Sequence, residues 1–292
     1  MQNCRFGLIV RGWRYISRMV WSLLVAVTLS CGLFQVTLLD RSALGADMSA
    51  RDVTVMLYRA ERGKPADFAR FDLTNLDLSG VNFKGANLRG ADLFGVDLSR
   101  ADLSDVDLRS ARLDRVTILG ARFDRANLAG ASLLRPGVFS TLDGKASEAV
   151  SFEGADLRQS TVFGQFNRSN FRGVNFSGAD LSPINASSFI EHIWRTEFLG
   201  SDMRGANLSG AKLERVLFAF ADLSNADLSG ANLKHADLSG ANLRGANLSN
   251  ADVTNADFTD VKLAGVIGLD SVVGIGALRG RRPKGLAGGI GK

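Results

Sequence analysis

Cysteine is nearly absent. The 292 residues hold two, Cys4 and Cys31, both within the first 46. Residues 47–292 can therefore form no intrachain disulfide, carry no thiol nucleophile and build no Cys-based metal site. Histidine is as scarce, with His192 and His235 lying 43 residues apart. Two Tyr and three Trp leave few polar aromatics for catalysis or base stacking, although Phe numbers 18. There is no Ser-His-Asp set, no G-x-x-x-x-G-K phosphate loop and no H-E-x-x-H. The sequence therefore reads as non-enzymatic and calls for no cofactor. Four Pro against 32 Gly suit a chain of many tight turns.

Charge of one sign is also missing from the body of the chain. The overall +5 divides unevenly. Residues 1–46 carry Arg5, Arg11, Arg14, Arg18 and Arg41 against Asp40, a net of +4. Residues 264–292 carry Arg279, Arg281, Arg282, Lys284 and Lys292 against Asp270, again +4, so residues 47–263 hold +5 − 4 − 4 = −3. A body this close to neutral is neither a basic nucleic-acid binder nor a strongly acidic one. Hydrophobic residues make up 46% and charged residues 22%, which excludes a chain disordered throughout.

The N-terminus reads as an address. Arg5, Arg11, Arg14 and Arg18 precede an apolar run over residues 19–27, which continues less purely to Leu39, and small residues follow at Ala43, Gly45 and Ala46. This order describes an export signal cleaved after Gly45 or Ala46. Residues 19–39 are also long enough to span a bilayer as a retained anchor. Cys31 after Thr28-Leu29-Ser30 leaves a lipoprotein site open, with Thr28 where an aliphatic residue is usual. On the first two readings the N-terminal segment engages the membrane or export machinery. The Arg-rich end stays in the cytoplasm, which places the body in the periplasm or another extracytoplasmic space.

The rest of the chain is dominated by a repeat. From Phe68 to Leu133 a large apolar residue recurs at every fifth position, through Leu73, Leu78, Leu88, Leu108 and Leu128. A second run from Phe198 to Leu263 passes through Phe218, Leu228, Leu238 and Phe258. Two places before most of these stands a small apolar residue, with Asp or Asn between. A period of five fits neither a helix nor a strand. It fits a chain that turns a corner every five residues, so that four corners close a square coil of 20. Each quintet then points one large and one small residue inward and three outward. Phe198, Phe218, Leu238 and Phe258 should lie one above another, as should Phe68, Leu88, Leu108 and Leu128.

This pattern, in segments such as Ala226-Asp227-Leu228-Ser229-Gly230 and Ala241-Asn242-Leu243-Arg244-Gly245, resembles the pentapeptide-repeat family. The resemblance implies an all-β fold, the family's right-handed quadrilateral parallel β-helix, over residues 67–268. It also raises an activity known in the family, protection of topoisomerases by DNA mimicry. That activity calls for a cytosolic, strongly acidic protein, and an export signal on a near-neutral body disfavours it.

Between the two runs the spacing stutters. Leu133 to Phe198 is 65 residues, or 13 quintets, and the simplest count gives forty quintets in about ten coils, about 45–50 Å long. Residues 135–150, with Pro136, Gly137 and Gly144, read as a projecting loop. Residues 183–197 are a second irregular segment, and Glu191, His192, Trp194 and Arg195 form its candidate partner-binding group. No third metal ligand or base accompanies Glu191 and His192. His235 falls at an outward place.

The ends need covers. Residues 47–66 hold an N-terminal capping helix, with Val53, Met56, Leu57 and Ala60 at helical spacing and Ser49 and Asp52 at its start. Residues 269–292 supply a C-terminal cap and a Gly-rich basic tail. End-to-end homodimerisation is open. The reading of function is a structural or interaction scaffold with an unknown protein partner and no nucleic-acid ligand.

Overall fold

The structure, a computed structural model, describes residues 46–60, 64–138, 148–183 and 195–280. The chain divides into Met1–Gly45 and Ala46–Lys292, and everything described belongs to the second unit. Residues 19–39 lie outside the described residues. Among those described, no helix is long and apolar enough to cross a membrane.

The unit opens with helix α1, Ala50–Arg59. Ser49 and Asp52 form a reciprocal capping box, which satisfies N–H groups that an α-helix start leaves without partners. Val53 and Leu57 are buried against the core. Asp47 behaves as a fragment of strand ahead of the first coil. Its N–H donates to the Asp72 carbonyl at 2.7 Å, and its carboxylate accepts from the Asp72 N–H at 2.8 Å.

From Asp67 onward the backbone winds in four-sided coils stacked in parallel. Side one is a column of paired residues, Asp67, Asn87, Asp107, Asn127, Asp156, Asn175, Asn207, Asp227, Asn247 and Ile267. Side two starts at Asp72, side three at Asp77 and side four at Asn82, each repeating 20 residues later in the regular stretches. The pairing is continuous enough to form named strands at one place, where β1, Ser132–Leu134, runs parallel to β2, Thr161–Phe163. The last coil carries two short 3-10 turns, Leu269–Ser271 and Ile275–Ala277.

One quintet shows why the sequence takes this shape. The Leu88 N–H donates to the Asp107 carbonyl of the next coil at 2.7 Å, and the Gly90 N–H donates to Arg109 at 2.8 Å. The Asn87 N–H donates back to Ala66 of the previous coil at 2.9 Å. The Ala91 N–H closes the corner onto Leu88 at 3.0 Å. That leaves the Arg89 N–H, which donates to the Asn87 side-chain oxygen at 3.1 Å. In this quintet every N–H is satisfied, four by backbone and one by the Asn87 side chain.

The inward places form one apolar core. Leu73, Leu88, Leu108, Leu128, Phe198, Phe218, Leu228 and Leu238 are wholly buried, and Phe258 is nearly so. Side three stacks Phe166 on Phe198 at 5.6 Å and Phe198 on Phe218 at 5.5 Å, and Leu238 and Phe258 follow in the same column. Side four stacks Phe123, Phe152 and Phe171 at 4.7 and 5.0 Å. Where these rings crowd the middle coils, Ser160, Ser169, Thr196 and Ser201 take the small inward places. Thr196 and Ser201 donate their hydroxyls to the carbonyls of Leu181 and Phe166, each at 2.8 Å.

The count across the irregular middle needs correction. Between Leu133 and Phe198 the coil has nine sides, not thirteen, and from Phe68 to Leu263 it has 36, or nine coils. The side-one column jumps by 29 residues from Asn127 to Asp156, by 19 to Asn175 and by 32 to Asn207. Relative to 20 these are +9, −1 and +12. They sum to +20, one whole coil, so the faces stay in phase under either count. Residues 139–147 enter within side three, since Glu148 resumes the outward place after Val138 by accepting from the Gly120 N–H. Residues 184–195 enter between sides two and three.

Candidate interaction surface

With the inward places filled, any contact with a partner falls to the outward residues. The first outward place, before the buried Leu or Phe, is largely committed to the fold. Asp92, Asp97, Asp102, Asn207, Asp227, Asp237 and Asp252 all accept from the N–H two residues on. At three places that hold another residue, the acceptor comes from the coil before. Asp114 serves the Leu134 N–H, Asp124 that of Glu153 and Asn167 that of Leu199, at 3.2, 3.2 and 2.9 Å. Much of the acidity on this surface is turn chemistry.

Arginines two residues along neutralise several of these carboxylates. Arg109 pairs with Asp107 and Arg204 with Asp202. The Arg hydrogen bond is the main cause that holds each carboxyl below the usual carboxylate range. Arg125 does the same for Asp105 in the coil before. On side two, Arg112 lies over the Phe94 ring at 4.4 Å while bonding Asp92 and Asp114.

The corner residue of nearly every described quintet has positive φ. Glycine fills many corners, and seventeen non-glycine residues fill others among those described. Sixteen of these are Arg, Asn, Asp, Ser, Gln or His, including His235 at φ 59°; the remaining one is Phe220, at φ 60°. A bulky apolar residue is a genuine outlier there. Phe220 is also 75% exposed. Its quintet, Val216-Leu217-Phe218-Ala219-Phe220, has no polar residue, and Leu199 lies on the same side one coil earlier. The sequence signal is an outward set, Leu217, Ala219 and Phe220, with neither a polar residue nor a glycine, beside a periodic Phe218 that reads as core.

Of the four candidate partner-binding residues, Glu191, His192 and Trp194 lie outside the described residues. Arg195 is described, and its Nε is buried with no hydrogen-bond partner among the described residues. Among the described residues no group of three or more His, Cys, Asp or Glu is placed to hold a metal ion.

Four-sided coils with this quintet define a class of protein. Eight copies of the family described as pentapeptide repeats match residues 66–100, 101–133, 164–182, 192–219 and 221–260, and the chain belongs to that family. Among solved structures it is similar to HetL from the cyanobacterium Nostoc sp. strain PCC 7120, a protein involved in heterocyst differentiation regulation. That similarity has 26% identity, covers 73% of this chain and 90% of HetL, and has a TM-score of 0.42. It is also similar to QnrB1, a plasmid-mediated fluoroquinolone resistance protein, at 21% identity over 67% and 92% of the two chains with a TM-score of 0.40. A pentapeptide repeat protein from the Arabidopsis thaliana thylakoid lumen matches at 30% identity over 38% and 66%, with a TM-score of 0.19. No curated protein matches the chain. These superpositions are loose, and assignment of the fold rests on the repeat and its own pairing.

Proposed function

We propose that this chain is a non-enzymatic, extracytoplasmic scaffold, a right-handed quadrilateral β-helix that presents flat polar sides to a protein partner. One observation carries the reading: the inward places hold Leu, Phe, Val and Ala almost throughout, so the rigid coil leaves only its surface for function. Rigid repeats whose contacts run only to their neighbours suit extended binding faces. Many outward carboxylates accept from their own turn or pair with Arg, which favours a specific protein contact over mimicry of a polyanion. The order of Arg residues, apolar run and small residues in the first 46 positions supports export.

Fractionation of cells expressing the full chain, with N-terminal sequencing of the mature form, tests this. The expected result is an envelope or extracytoplasmic product that starts at Ala46 or Asp47, or one retained in the membrane with its N-terminus intact. A soluble cytosolic pool that protects a topoisomerase from its inhibitors would overturn the proposal.

A further inference from the structure

Side three of the last coils combines an apolar knob with carboxylates that have no ion pair among the described residues. Phe220 stands exposed at its corner, with Leu217 beside it, both partly or largely open to solvent. In the next two coils the same side carries Asp237, then Asp257 and Asp260. Asp237 and Asp257 each use one oxygen on their own turn, to Ser239 and Thr259. None of the three has an ion pair among the described residues, unlike the Asp–Arg pairs of sides one and four.

The described chain ends on this side. The backbone of Arg279 bridges that of Asp257 on the last rung, while its Nε donates to the Asn255 carbonyl at 2.8 Å. Gly280 lies so close to Thr259 and Asp257 that a Cβ would have no room. The twelve residues that follow, 281–292, carry Arg281, Arg282, Lys284 and Lys292, no acid, and two aliphatic residues, Leu286 and Ile290. Extended, they reach about 40 Å. The climb from the Arg279 rung past Asp257 and Asp237 to Leu217 is three coils, about 14 Å.

We infer that residues 281–292 dock along side three of their own chain, with the basic residues against Asp237, Asp257 and Asp260 and an aliphatic residue on Phe220 and Leu217. The charges are complementary, three carboxylates facing four cations, and the tail starts at the foot of the strip. An exposed Phe held at positive φ is retained because the docked tail covers it. The inference does not depend on where the protein resides or which partner it takes.

The full chain tests it in two ways. Zero-length carbodiimide coupling should join Lys284 or Lys292 to Asp237, Asp257 or Asp260 within one chain, as read by peptide mapping of the monomer. Trypsin should cut after Arg281 and Lys284 about tenfold faster in 0.5 M salt than in low salt, because screening weakens exposed pairs. It should cut at the fast rate in both salts in the triple variant Asp237→Asn, Asp257→Asn, Asp260→Asn. Asn accepts the same turn hydrogen bond at Asn207 and Asn247, so the variant keeps the coil. Phe220→Ser is the independent second variant and should also release the tail. Equal cleavage rates in the native chain and both variants would overturn the inference. So would cross-links that join only two chains, which would make a second copy the occupant.

Discussion

Gly240 holds in its coil the place that Phe220 holds one coil earlier, and the Phe220 ring fills the space a Gly240 side chain would need. A Cβ there would lie 2.6 Å from ring carbons Cδ1 and Cε1. The same lean of a corner side chain over the next glycine recurs at Asn75 and Gly95 and at Asn225 and Gly245.

Gly240→Ala should therefore lower stability by about 1–3 kcal/mol through left-handed strain plus displacement of the ring. Gly230→Ala has φ +64° with nothing within 4 Å, so it carries the strain alone. The difference between the two in thermal or denaturant unfolding isolates the ring contact. Phe220→Ser in the Gly240→Ala background should recover that difference.

Leu228 is wholly buried in the regular C-terminal coils. Leu228→Ala should cost about 2–5 kcal/mol by leaving a cavity between layers. Leu228→Asp should cost more, because it buries an unpaired charge. Hydrogen exchange should show the loss of protection concentrated in the coils immediately on either side.

The Asn87 amide donates to Asp67 at 2.9 Å while its oxygen serves the Arg89 N–H. Asn87→Asp keeps the turn acceptor but sets a carboxylate between Asp67 and Asp107. The expected loss is about 0.5–1.5 kcal/mol at neutral pH, shrinking below about pH 4 as the carboxylates protonate. Melting temperature against pH for both proteins checks it.

The Arg-paired carboxylates set an acid limit. Asp105, Asp107 and Asp202 have native pKa values below the ordinary 3.8. A carboxyl lowered in the native state contributes stability that is present above its unfolded value. That contribution is lost as pH falls through the native value. Melting temperature should hold from neutral pH to about 4 and fall below it. Arg109→Ala and Arg204→Ala should make that fall shallower.

The repeat made the four-sided coil legible, because a five-residue period fits no other regular structure. The number of coils was not legible. Insertions of nine and twelve residues and one deletion add up to a full turn, so every later Leu and Phe keeps the phase of an unbroken count. The role of the Asp and Asn place was also hidden. A polar residue at an outward position reads as surface, and only bonds such as that from the Arg89 N–H to the Asn87 side chain show it to be an acceptor for the fifth N–H. Phe220 was missed for a related reason. In a pattern of buried rings, one more Phe looks like core until its corner place is seen.

Both large departures from the repeat touch side three, where the backbone leaves after Val138 and after Pro183 and resumes in phase with the coils around it. A stack held by neighbour-to-neighbour pairing has no memory of how much chain separates two of its layers. Selection can lengthen, shorten or replace the chain inserted there without refolding the coils on either side. Side three is therefore where homologous chains should differ most in length, and where a foreign peptide could be grafted with the least cost to the whole.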